Sequence, residues 1–478
     1  MIRGFPRQRS PVAGGEVVLH VATDAPEFRV ELWRCGADLV LQAGSGWLPG
    51  RPAPAHMPHQ DWSVANTDPW GRSLEPWAAY RLPAPEEPGV YVAVLVEGDG
   101  AGRDTTHPDR STPDGRDAKV LFVVRPPAPR PGALLAKLPL LTYHAYDVVH
   151  GDLFGPTNDD GTWCLYSLPR PGRLPVDPPP SVNLHRPGGG TGGVPYDLWN
   201  TDPFDATPRQ TFAHWDWRLV RWLERAGYAV DWCTDVDLHR LGADLLRPYP
   251  LLVSAGHDEY WSDAMRSAVE EWVDAGGNLA FFSGNTMWWR VAFDDTGLAF
   301  ARLHQWSDPA RSTDPENTVL GASFRHGGER DRDDHPVPVG FRVQHADSWV
   351  YAGTGLADGD VFGGGPDEYV VGYECDGAAF DRADLEAGRV VGPSGEDGTP
   401  RDALILGVGD LRPSGWGSGN AAATMVLLQH RRGTVFNAAT TDWVRLLDRP
   451  GPVERITRNV LDRLGGVPLA GTFPAPGS

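Results

Sequence analysis

Between Phe212 and Gly284 the sequence switches repeatedly between two periods, and this restricts the fold more than any other feature. In "FAHWDWRLVRWLERAGYAVDWCTDVDLH", Leu219, Trp222 and Leu223 form an apolar stripe at helical spacing. Gly227 stands where a glycine ends a helix, and "YAVDWC" then reads as a strand. "LLVSAG" is the next strand. Ser262 follows as an N-cap, with Asp263 favourable in the first turn, and Met265, Val269 and Trp272 continue an apolar face. "AGG" ends that helix and "NLAFFSG" is another buried strand. Two βαβ units in succession predict a doubly wound parallel sheet with helices on both faces.

The rest of the chain is organised around this block. Residues 15–125 contain "GEVVLHVAT", "FRVELWRCG", "GVYVAVLVEG" and "AKVLFVVRP", short β-branched and aromatic runs separated by Gly, Pro and Asp. They predict a β-sandwich. "RPPAPRPGALLAKLP" reads as a linker. The expected division is a β-sandwich at 1–127, a linker at 128–138, an α/β domain at 139–467 and a tail at 468–478. Within the α/β domain, "GTVFNAATTDW" is a late strand and "VERITRNVLDRL" a closing helix, while residues 300–430 are Gly- and Asp-rich and mixed. The segment Pro169 to Trp199 has almost no regular pattern, which fits either a cover over a site or a surface insertion.

Charge narrows the partners. The net charge of -20 opposes nucleic acid and anionic membranes. No apolar run is long enough to span a bilayer, and "MIRGFPRQRS" has no apolar signal region. Four cysteines without a CxxC pair fit a reducing compartment. The expectation is a cytoplasmic protein. Only two lysines occur, Lys119 and Lys137.

Chemistry concentrates in "VSAGHDEYWS", where His257, Asp258, Glu259, Tyr260 and Trp261 leave the carboxyl end of a strand. "SGNTMWWR" leaves the next one and carries Asn285, Trp288 and Trp289. Ligands of open parallel sheets bind at such ends. A carboxylate can ligate a metal or act as base, a neighbouring histidine can ligate or pass a proton, and a tyrosinate suits ferric iron. An Asn amide can support an oxyanion. Each has a plainer reading: His257 as a cap, Glu259 as a complement to the helix dipole, Tyr260 and Trp261 as core, Asn285 as a turn residue. No G-x-S-x-G, G-x-x-x-x-G-K-[ST] or H-E-x-x-H occurs, and "GGGTGG" lacks the strand and helix of a phosphate cradle.

"SAGHDEYWSDAMRSAVEEWVDAGGNLAFFSGNTMWWRV", with "RWLERAGYAVDWCTDVDLH" upstream and the N-terminal β region, resembles the large (beta) subunit-like family of N,N-dimethylformamidase. The resemblance covers most of the chain. It implies a β-sandwich followed by a domain resembling class I glutamine amidotransferases. It also implies an iron-dependent amidohydrolase that splits a formamide, with Fe3+ held by two tyrosines and a glutamate. On that resemblance Glu259 is the iron-ligating glutamate, His257 a neighbouring histidine and Asn285 a site asparagine. Tyr146 in "TYHAYD" is the first tyrosine. The second falls near "HRPGGG", where Gly188 stands in an aromatic position. Tyr196 is the nearest substitute, and Tyr143 and Tyr166 are further options. Glu374 in "VGYECD" would be the base.

The leading expectation is therefore a metal-dependent hydrolase of a C–N bond in a small amide. Iron, or another divalent metal, would act as Lewis acid, with Glu259, Tyr146 and Tyr196 as ligands and His257, Asn285 and Glu374 as catalytic groups. The family enzyme carries a small partner subunit, and a homo-oligomer is also open. One rival keeps the site for another metal-dependent tailoring reaction on a small metabolite. The other is a non-catalytic carbohydrate-binding protein, motivated by nineteen tryptophans that are hard to bury.

Overall fold

The computed structural model describes residues 2–52, 78–105, 118–146, 149–150, 162–163, 165, 181–185, 211–329, 338–366, 368–414 and 421–466. In the N-terminal region, strands Arg3–Pro6, Glu16–Ala22 and Ala78–Pro83 form one antiparallel sheet. Glu27–Cys35, Leu39–Gly44, Gly89–Gly98 and Lys119–Val124 belong to another. Val17, Leu19, Val21, Phe28, Val30, Leu32, Val120, Phe122 and Val124 share one apolar cluster drawn from both sheets. Their spacing of two residues is the strand period.

The larger region is built on a nine-stranded sheet. Five of its strands are parallel: β1 (Leu134–Leu138), β2 (Val230–Thr234), β3 (Leu251–His257), β4 (Asn278–Gly284) and β5 (Gly433–Asn437). They stand in the order β2-β1-β3-β4-β5. Beyond β5 the sheet turns antiparallel through Ala422–His430, Leu404–Asp410, Phe341–Val343 and Val361–Phe362. The parallel expectation thus holds for the β1–β5 half. The antiparallel half comes from the Gly- and Asp-rich stretch whose pattern is too irregular to read.

Both faces are covered. Leu251, Val253, Ala255, Ala280 and Phe282 pack with Leu219, Trp222 and Leu223 of α2 (Asp216–Arg225) and with Ile456, Val460 and Leu461 near the C-terminus. Leu252, Leu279 and Phe281 pack with Val236 and Leu238 of α3 (Asp235–Leu241) and with Met265, Val269 and Trp272 of α4 (Asp263–Asp274). Alternate residues of one strand thus enter different layers, as buried parallel strands require. Ser262 caps α4 by accepting the Met265 N–H at 3.3 Å. Gly227 adopts φ +84° just past α2.

The linker expectation needs correction. Ala133–Pro139 follows the Pro-rich run directly, but Leu134–Leu138 is β1, a strand inside the sheet. The tail 468–478 lies outside the described residues. No described helix is long and apolar enough to cross a membrane.

Candidate functional site

Three neighbouring parallel strands deliver the polar groups. β1 leads into α1 (Leu140–Tyr146), whose last residue is Tyr146. β3 ends at His257 and β4 at Gly284, with Asn285 next. β1, β3 and β4 are adjacent, so residues from 146, 257–259 and 285 meet at their carboxyl ends.

Two glycines make this possible. Gly256 has φ +65°, and a Cβ there would sit 2.4 Å from Cβ of Trp215. The chain bends at this point, and His257 to Glu259 follow. Gly284 admits backbone: an added Cβ would lie 2.6 Å from the Thr441 nitrogen and 2.7 Å from the Glu374 carbonyl. Through that gap the strand Glu374–Gly377 reaches the site.

The groups converge closely. The Tyr146 hydroxyl donates to Glu259 Oε2 at 2.8 Å. His257 Nε2 lies 2.6 Å from Glu374 Oε2 and 3.4 Å from Glu259 Oε2. The Asn285 amide is 3.4 Å from the same nitrogen. All five residues are buried. The rings of Tyr146 (5.4 Å) and Tyr373 (6.1 Å) bracket the His257 imidazole. Burial pushes the Glu259 carboxyl up to about 8; His257 opposes this and Glu374 adds to it. Burial, then Glu259, raises the Tyr146 phenol well above its ordinary range. Low polarity therefore holds the pair protonated, and a cation beside them would reverse that preference.

Supporting bonds fix the geometry. The Glu259 N–H donates to Thr142 Oγ1 at 2.9 Å, tying the loop to α1. Asp376 accepts the N–H groups of Asn285 (2.9 Å) and Thr286 (3.3 Å), which holds Asn285 at φ +49°. Glu374 and Asp376 are two apart on one strand and share a face. Thr441, just past β5, donates its N–H to the Glu374 carbonyl at 3.0 Å. Beneath the loop, Lys137 of β1 donates to Asp258 at 2.8 Å and to Asp235 at 2.5 Å. Asp258 also accepts from Ser254 (2.5 Å) and Trp261 Nε1 (2.9 Å), and Asp235 accepts the Leu141 N–H at 2.8 Å.

The expected His257, Glu259, Tyr146, Asn285 and Glu374 thus come together. Tyr143 does not join them, because its hydroxyl donates to the buried Asp216. That removes it as a ligand option. Tyr196, Tyr166 and Gly188 lie outside the described residues, as does most of the segment 169–199. Trp261 is core, with Lys137 Nζ 4.8 Å from its ring centre. Lys137, Thr142, Tyr373 and Asp376 were not foreseen. A signal existed for one of them: Lys137 is one of only two lysines and interrupts the apolar run "ALLAKLP". Eight described tryptophans, among them Trp215, Trp261 and Trp443, are buried.

The site can be tested for a metal on its own atoms. Glu259 Oε1 is buried without a hydrogen-bond partner among the described residues. The other oxygen sits 2.8 Å from the Tyr146 hydroxyl. Two ligand oxygens of one ion with bonds near ~2.1 Å lie about this far apart. Among the described residues no three His, Cys, Asp or Glu side chains form a metal-binding group by themselves. A metal here needs the tyrosine, and Tyr146 and Glu259 fit that demand.

Comparison with known proteins gives this geometry a context. A stretch of 107 residues is 34% identical to the N,N-dimethylformamidase beta subunit of Paracoccus aminophilus. A stretch of 106 residues is 34% identical to the protein of the same name from an Alcaligenes species. Each alignment covers 21% of this chain and 14% of the relative. The model of the family described as N,N-dimethylformamidase beta subunit-like, C-terminal, matches residues 29–457. The chain belongs to the N,N-dimethylformamidase beta subunit-like family.

Proposed function

We propose that the chain is an iron-dependent amidohydrolase acting on the C–N bond of a small amide or formamide. The observation that carries this reading is the buried contact set Tyr146–Glu259–His257–Glu374 at adjacent strand ends. Tyr146 and Glu259 would hold the ion, with a third ligand that Tyr196 is placed in sequence to supply. The ion would supply Lewis acidity toward the amide carbonyl.

The chain's own groups do the proton work. Glu374 is closest to His257 Nε2, so the imidazole hydrogen points to this carboxylate. Glu374 is then the base that takes a proton from an attacking water, and His257 holds the charge that develops. The amine leaves with that proton. Asn285 Nδ2 lies 3.4 Å from His257 Nε2, which sets its amide beside the reacting groups. That amide would hold the substrate carbonyl oxygen. Burial of the whole set excludes bulk water and strengthens each of these interactions.

The relatives' name includes a beta subunit, and a small partner subunit for this chain is part of the proposal. The test is metal content by plasma mass spectrometry with turnover of a formamide panel, for the wild type and Glu259→Gln. Near-stoichiometric iron and amine release in the wild type, both lost in the variant, is the expected result. Full iron in the variant would overturn the ligand assignment. Iron without turnover on any amide, with and without a partner subunit, would overturn the reaction.

A further inference from the structure

We infer that the cavity between Arg7–Val12 and α3 is a binding site for a small phosphate dianion, free or as a monoester. The cavity measures about 260 Å³ and is bordered by Arg7, Arg9, Arg125, Arg240, His185 and Asp237. That is small beside the roughly 300–1,000 Å³ of pockets for drug-sized ligands, and it suits a compact polyatomic anion.

Charge and burial point to the ligand. Four guanidinium groups border the cavity against one carboxylate. That carboxylate is already committed. Asp237 accepts from Thr234 N–H (2.9 Å) and Thr234 Oγ1 (2.8 Å), and from Ser10. Arg125 Nε stands 3.7 Å from it. Arg9 is 5% exposed. Its Nη1 donates to the Pro6 carbonyl at 2.9 Å, but Nε and Nη2 are buried with no partner among the described residues.

A buried guanidinium with one edge unsatisfied is costly, and an anion is what satisfies it. The Nε/Nη2 edge is the fork that binds phosphate oxygens two at a time. Burial and the neighbouring Arg240 bring the Arg9 guanidinium down to about 9, the opposite of what a paired arginine shows. Burial, and after it Arg9, keep His185 down near 3, so it enters the cavity neutral. With -20 on the whole chain, long-range attraction does not bring anions here. A local cluster of arginines around the buried Arg9 is therefore needed to hold one.

None of the lining residues belongs to the Tyr146–Glu259 cluster, so the site stands or falls apart from the hydrolase reading. The test is calorimetric titration of the full chain with inorganic phosphate at fixed ionic strength, with chloride as control and glycerol 3-phosphate as second probe. Saturable phosphate binding at about 1 mM or tighter is expected. Arg240→Ala, an exposed position that leaves the core untouched, should weaken it about tenfold or more. Arg9→Lys, which keeps the charge but loses the fork, should weaken it as well. Arg412→Ala, remote from the cavity lining, should leave it unchanged. Tighter binding of the ester names a phosphate monoester as the ligand; equal or weaker binding names free phosphate. No saturable binding up to about 10 mM, or full affinity in Arg240→Ala, overturns the inference.

Discussion

Tyr146 and Glu259 stand 113 residues apart in sequence and meet in a 2.8 Å hydrogen bond. The contact joins the end of α1 to the loop after β3. Tyr146→Phe keeps the ring against His257 and removes only the oxygen. Bound iron should then fall steeply, and turnover by ~100-fold or more, beyond the usual cost of losing an outer partner of a metal ligand. Adding Glu259→Gln should cost little more, because both changes break one unit. Metal analysis of the two single variants and the double variant checks this. Unchanged iron in Tyr146→Phe would leave the tyrosine with a packing role.

His257 and Glu374 are expected to act on protons rather than on the metal. Glu374→Gln preserves shape and removes the base. It should leave iron content in place while kcat drops roughly 10²–10⁴-fold, the usual range for a general acid or base. Steady-state kinetics together with metal analysis separates the two roles. Loss of iron in Glu374→Gln would make it a ligand instead.

Lys137 is the counter-charge of two buried carboxylates, Asp235 and Asp258. Burial alone would lower its basicity, but the two aspartates outweigh that and raise it, so it stays charged. Lys137→Met strands both acids. The cost should be about 3–5 kcal/mol, as for breaking any buried pair on one side. Urea denaturation reads this directly. A loss below about 1 kcal/mol would show that the two carboxylates are content without it.

Glu316 gives the fold a pH dependence of its own. It is buried, with the Ser323 hydroxyl donating to it. Burial lifts its carboxyl from 4.5 to about 8, and the Ser323 bond only partly opposes this. A raised carboxyl favours the protonated folded form. Its contribution is complete below about 4.5 and is lost as pH rises through about 8. Wild type should therefore lose stability between about pH 4.5 and 8, and Glu316→Gln should lose less. Denaturation midpoints across that range decide it. Parallel decline of both proteins would place the dependence elsewhere.

Much of the site's skeleton could be read from local sequence, and the reason is physical. β3, its loop and α4 form one continuous strand–turn–helix with a side-chain cap, so His257 and Glu259 announce themselves. Asn285 follows a glycine that backbone contact requires. β1 was hidden because Pro-rich composition runs directly into it and Lys137 breaks its apolar run. The Lys137 charge makes sense only beside Asp235 and Asp258, which are 98 and 121 residues away. The strands Leu404–Asp410 and Ala422–His430 carry a register shift at Ile405/Gly407, which spoils a period-two pattern. Pairing of Glu374 with His257 depends on three-dimensional closure and has no local trace.

That closure has a temporal side. β5 lies inside the sheet, between β4 and Ala422–His430, yet it is among the last strands to be synthesised. A growing chain that ends before Gly433 leaves the β4 edge open and Glu374 without Thr441. The buried acids would then sit in water, ordinary in their chemistry. The cluster of Tyr146, His257, Glu259 and Glu374 therefore gains its full backing only when β5 has joined the sheet.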